Sequence, residues 1–149
     1  MRSWLDYISF GETGTGGWSN GDGLIHCVRA AYDLDSEDFR VSLLKHEAQH
    51  AMDQTRYPGI TNEELEYRAK LVELIYSEER GMLSRFIAQA DTSRAGNGHG
   101  LAAERIAAGF ERCLGQDRGS LAGLAAPAVQ TAARQLFARS SQEMAAKYG

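Results

Sequence analysis

One interruption organises the chain. Residues from Asp35 to Arg56, and again from Thr61 onward, follow helical spacing, and between the two runs stands Tyr57-Pro58-Gly59, through which no helix continues. The first helix has Asp35 or Ser36 as its N-cap and acidic residues in its first turn, and it should end near Arg56. Thr61-Asn62-Glu63-Glu64 then fits a capping box, in which a hydroxyl and a carboxylate satisfy each other's backbone amides. Leu65, Ala69, Val72, Tyr76 and Leu83 continue at helical spacing, so a long second helix is expected to about Ala90. A turn as short as Tyr57 to Ile60 folds that helix back against the first.

The rest of the chain supplies a frame for this pair. Residues 91–100 read as a loop, and Ala103, Ile106, Ala107, Phe110 and Leu114 mark a third amphipathic helix. A final helix follows Pro127, a residue suited to a first turn, with the stripe Val129, Ala132, Ala133, Leu136, Phe137 and Met144. Leu24 to Ala31 is the one convincing strand signal. Residues 11–23 are rich in glycine and read as a loop; they carry neither a P-loop nor a dinucleotide-binding glycine pattern. The expected fold class is α+β, mainly α. With 149 residues and 43% hydrophobic content the chain suffices for one core, and a single domain over 1–149 is expected.

Charge and composition narrow the partners. Sixteen Lys and Arg against twenty Asp and Glu leave a net charge of −4, without the basic cluster that nucleic acid requires. No apolar run approaches the roughly 20 residues of a membrane helix, and Met1 to Phe10 lacks the apolar stretch of a secretory signal. Two cysteines, Cys27 and Cys113, form no disulfide framework or Cys-x-x-Cys site. The expectation is a cytoplasmic protein with no nucleic-acid or membrane partner.

Chemistry concentrates in KHEAQHAMD, residues 45–53. Side chains four apart share a helix face, so His46 and His50 can present two imidazole nitrogens to one metal ion. Glu47 is offset by about 100° from His46 and can take a proton from a water beside that ion. Zinc lowers the pKa of bound water to about 7 and polarises a scissile carbonyl, while a neighbouring carboxylate acts as general base. Val41, Leu44, Ala48, Ala51 and Met52 fall on one arc, the expected core stripe, and the histidines fall on another.

A catalytic zinc needs a third protein ligand. No histidine follows His50 before His99, and the second helix instead offers the carboxylates Glu63, Glu64, Glu66 and Glu73. Glu63 points away from the apolar stripe on Leu65, Ala69 and Val72, whereas Glu66 and Glu73 lie along one flank of it. Glu66, near the start of the folded-back helix, is favoured. Glu73, two turns on, is an alternative ligand or a carboxylate behind a ligand. The competing reading of Glu66 is an exposed ion pair with Lys70.

HEAQH, followed sixteen residues after His50 by Glu66-Tyr-Arg-Ala69, resembles a gluzincin-type zinc metallopeptidase. The resemblance covers about residues 36–76, and Lys70 stands where some relatives have asparagine. It implies a zincin-like minimal domain that binds one zinc through His46, His50 and Glu66, uses Glu47 as base and hydrolyses a peptide or protein substrate. It also implies that an extended substrate lies on an edge strand above the metal helix, and the Leu24–Ala31 strand directly precedes that helix.

Supporting residues are less determined. Asp53, one turn beyond His50, could hydrogen-bond near a metal-bound histidine or pair with Arg56. His99, in NGHG at a helix start, is the candidate for stabilising the oxyanion, or else a capping or loop histidine; Tyr57 and Tyr67 are weaker candidates. His26 and Cys27 are adjacent in the strand and cannot both face one site. Cys113 reads as a small core residue. Two other functions fit the same residues: a zinc-binding module without turnover, and a metal-free helical interaction protein.

Overall fold

Thr61 begins the helix around which the remaining elements pack. Its hydroxyl accepts the Glu64 amide at 3.3 Å and Glu64 Oε2 accepts the Thr61 amide at 3.0 Å, which completes the capping box. In this computed structural model residues 17–19, 24–27 and 33–149 are described. They form two short antiparallel strands, β1 Gly17–Ser19 and β2 Ile25–Cys27, with Trp18 opposite His26. Helix α1, His46–Arg56, extends a π-helical segment Asp38–Lys45. Then follow α2 Asn62–Tyr76, α3 Met82–Ala88, α4 Gly98–Leu114, a short 3-10 segment Arg118–Gly123 and α5 Ala126–Tyr148. The described chain is mainly helical with a small β element, and none of its helices is long and apolar enough to cross a membrane.

Helix α2 is central because it contacts α1, α4 and α5. All ten residues from Leu65 to Leu74 are buried, charged ones included, as befits a helix enclosed on every side. Leu71, Leu74, Phe86, Ile106, Phe110 and Leu136 anchor one apolar cluster on its α4 and α5 sides. The stripes expected on the last two long helices are largely the buried ones: Ala103, Ile106, Ala107 and Phe110 on α4, and Ala132, Ala133, Leu136 and Met144 on α5. Pro127 lies in the first turn of α5, and Ser36 Oγ accepts the Phe39 amide at 3.1 Å ahead of α1.

Three expectations are corrected. The second helix does not run to Ala90; it stops at Tyr76, and α3 is separate. The Glu37 carboxylate accepts the Ser77 hydroxyl and the amides of Glu78 and Glu79, and Gly81 turns the chain with φ at +96°. Of the expected strand Leu24–Ala31, Ile25–Cys27 is strand and residues 28–31 lie outside the described ones; its partner β1 arises inside the glycine-rich stretch read as a loop. Three residues are too few to show an alternating pattern. The rest of that stretch is likewise outside the described residues.

The third correction concerns the inward face of α1. Met52 is 65% exposed, and Ala48 and Ala51 are only half-buried, whereas Gln49 and Asp53 are buried. The helix turns its polar face to α2 because α2 supplies the partners. Asp53 Oδ2 accepts the Arg68 Nε–H at 2.7 Å, with both side chains almost fully enclosed. Through the π-helical segment the wider turns also upset α-helical spacing, and Leu43 rather than Leu44 is buried beside Val41.

Candidate metal centre

His46 is the first residue of α1 proper, where the π-helical turns give way, and His50 follows one turn later. Their ring centroids are 4.5 Å apart. Both rings face Glu66 on α2: His46 Nε2 lies 3.5 Å from Glu66 Oε2, and His50 Nε2 lies 3.7 Å from Glu66 Oε1. One carboxylate thus meets the same nitrogen of each imidazole with a different oxygen. All three side chains are largely buried. Glu63, by contrast, reaches toward Arg105 at 3.8 Å.

Donor atoms of His46, Glu47 and His50 lie within 4.8 Å of one another, and this His-Glu-His group can hold a metal ion. Glu47 and Glu66 are not equivalent members of the centre. The Glu47 Oε2 approach to His50, at 3.8 Å, is to Nδ1, on the other side of the ring from the Nε2 that faces Glu66. A ring held through Nε2 therefore keeps Glu47 beside the centre, with its side chain only 16% exposed.

Behind His46 stands Glu73, whose Oε1 is 2.6 Å from Nδ1. A carboxylate so placed draws the ring proton to Nδ1 and leaves the Nε2 lone pair toward Glu66. Glu73 therefore stands on the far side of the His46 ring from Glu66. Lys70 sends its Nζ to Gln89 Oε1 at 3.1 Å and over the Phe86 ring, rather than into the ion pair of the competing reading of Glu66.

His99 reaches the centre from a third helix. Gly98 lies so close to Asn62 that a β-carbon there would collide with the asparagine side chain. This contact brings the start of α4 onto the start of α2 and places His99 Nδ1 2.9 Å from Glu66 Oε2. The His99 ring is 64% exposed and forms the rim. Tyr57 packs near Tyr148 and Arg68, and Tyr67 lies under Arg105. His26 is half-buried and Cys27 exposed on β2, while β1 lies against α1. Cys113 is partly buried against the core and donates to Gln135 Oε1. Asp53 pairs with Arg68, on neither a histidine nor Arg56; Arg68 was missed because a charged residue in an amphipathic helix is ordinarily assigned to solvent.

Burial and neighbouring charges shift the groups at the centre. Burial opposes ionisation of Glu66, yet its contact with His99 and the charges of His46, His99 and His50 hold its carboxyl down at about 2. Burial likewise opposes a charge on His46, but Glu73, with help from Glu66 and Glu47, holds its pKa above the ordinary value. His50 is pushed down to about 4 by burial and by the neighbouring His46 and His99. Two atoms at the meeting point, His50 Nε2 and Glu66 Oε2, are buried without a hydrogen-bond partner, His99 being close to the latter but not aligned for a bond. Unpaired donor atoms facing one point fit a coordinated cation. The chain matches no protein-family model, no curated protein and no solved structure.

Proposed function

We propose that the chain is a zinc-dependent metallopeptidase of the zincin-like, gluzincin type, hydrolysing a peptide or protein substrate. The observation that carries this reading is the facing of one Glu66 oxygen to each histidine Nε2, with Glu47 alongside and Glu73 behind His46. His46, His50 and Glu66 would hold one zinc, an ion suited to imidazole and carboxylate donors. A zinc held there supplies Lewis acidity to a water and to the scissile carbonyl.

The remaining work falls to the chain's own side chains. Glu47 takes a proton from the attacking water and returns it to the leaving nitrogen. Glu73 fixes the His46 tautomer, and Lys70, buried near Glu66 and Glu73, offsets part of their charge. His99 turns Nδ1 to Glu66, which leaves its other nitrogen at the exposed rim to donate to the developing oxyanion. The contact of β1 with α1 supports an extended substrate lying along the strand pair. Unpaired Cys27 and Cys113 support a reducing compartment such as the cytoplasm.

The approach of His99 to Glu66 favours a second reading, a zinc-binding module in which His99 fills the fourth position and no turnover occurs. A screen of unstructured protein substrates, with Glu47→Gln as control, separates the two. The enzyme reading expects zinc-dependent cleavage in the wild type and a loss of about 100-fold or more in the variant with zinc retained. Absence of cleavage by the zinc-loaded wild type, or equal cleavage by the variant, contradicts it.

A further inference from the structure

A cavity of about 200 Å³ opens between α2, α4 and α5, sharing no residue with the metal centre. Its floor is the Tyr67 ring, buried to 5% exposure, and Ser140, buried to 2%. Gly109 leaves the space open: a β-carbon there would press on Leu136 at 3.2 Å and come within 3.7 Å of the Tyr67 hydroxyl. Three arginines, Arg105, Arg112 and Arg139, reach into the cavity from α4 and α5. In a chain of net charge −4 this is a local reversal of sign.

Most of this charge has no counterpart. Arg105 is answered by Glu143 at 2.9 Å and lies over the Tyr67 ring at 4.2 Å. Arg112 donates from Nε to its own helix, at Ala108 O, and neither it nor Arg139 has a carboxylate within ion-pair reach among the described residues. Ser140 Oγ accepts from Arg68 at 3.2 Å, and the Tyr67 hydroxyl lies at the cavity beside Gly109. Burial holds the Tyr67 pKa up; Arg105, Arg112 and Arg139 act against that rise, and Glu143 adds to it.

We propose that this cavity is a binding site for a phosphate group, free or as a small phosphomonoester, independent of the metal centre. Two uncompensated guanidinium charges match a dianion, and their planar forks suit its oxygens. The donors come from three helices, α2 through Tyr67, α4 through Arg112 and α5 through Arg139 and Ser140. That convergence surrounds a tetrahedral group better than it grips the edge of a planar carboxylate. The volume exceeds what a bare phosphate fills and leaves room at the mouth for an organic substituent.

Calorimetric titration of the intact chain with inorganic phosphate, glycerol phosphate and citrate at matched ionic strength tests this. Saturable binding of a phosphate species with a Kd of about 1 mM or tighter is expected, with citrate weaker. Tighter binding of glycerol phosphate identifies an ester as the ligand, and tighter binding of inorganic phosphate identifies the free ion; either supports the site. Arg112→Ala and Arg139→Ala change exposed side chains and should each weaken binding about 10-fold or more. Tyr67→Phe, which keeps the ring, should weaken it several-fold. No saturable binding, or binding that persists unchanged in Arg139→Ala as it would for phosphate held at the metal centre, overturns the proposal.

Discussion

Glu73 Oε1 lies 2.6 Å from His46 Nδ1, on the side of the ring away from Glu66. The two carboxylates of α2 thus meet opposite nitrogens of one imidazole, Glu73 at Nδ1 and Glu66 at Nε2. Glu73→Gln keeps the shape of the side chain and removes its charge, so zinc affinity should fall about 10- to 100-fold. Competition against a chelating dye measures this, with circular dichroism to confirm that the helices remain. Unchanged affinity would mean that Glu73 does not orient the ring.

His99 separates an open centre from a closed one. In the peptidase reading His99→Ala keeps one zinc and lowers kcat by about 100-fold, with a small change in KM. Zinc analysis of the variant alongside turnover decides the matter: loss of the metal would show His99 to be a ligand, and the centre to be closed.

Asp53 and Arg68 carry the polar seam between α1 and α2. Asp53 is 2% exposed and its Oδ2 is bonded to Arg68 Nε, so Arg68→Leu leaves a buried carboxylate without its partner. A loss of about 3–5 kcal/mol is expected, much of it recovered when Asp53→Leu is added. Urea unfolding of the single and double variants gives the coupling. Additive losses would contradict a direct pair.

Glu64 makes stability depend on acid. Burial raises its pKa, but Lys147, the Thr61 amide and hydroxyl and the Tyr148 hydroxyl outweigh that and hold it at about 2. A carboxyl depressed in the folded state contributes stability in full above its unfolded value and loses it as pH falls through the folded one. The stability difference between wild type and Glu64→Gln should therefore be constant near neutrality, shrink below about pH 4.5 and close near pH 2. Urea midpoints across that range test it; a difference independent of pH would contradict it.

What was legible in the sequence was local. The capping box at Thr61 and Glu64, the end of α1 at Arg56 and the stripes of α4 and α5 each depend on residues within a few positions of one another. The end of α2 was not legible, because Glu37 reaches Ser77 across forty residues to take its hydroxyl. Nor was the inward polar face of α1, which exists only because α2 brings Arg68, Glu66 and Glu73 against it. At the centre, the spacing of His46, Glu47 and His50 was plain, but angular position could not rank Glu66 against Glu73. Their positions differ in which imidazole nitrogen each one meets, and that is fixed by packing between helices.

The most direct test of a three-ligand zinc centre is zinc per chain, by elemental analysis of protein purified without a metal-affinity tag, in wild type and Glu66→Ala. One zinc in the wild type and a marked loss in a folded Glu66→Ala are expected. A wild type that holds no zinc after incubation with the metal and dialysis would contradict the metallopeptidase reading, leaving His46, Glu47 and His50 as the polar face of a helical interaction protein.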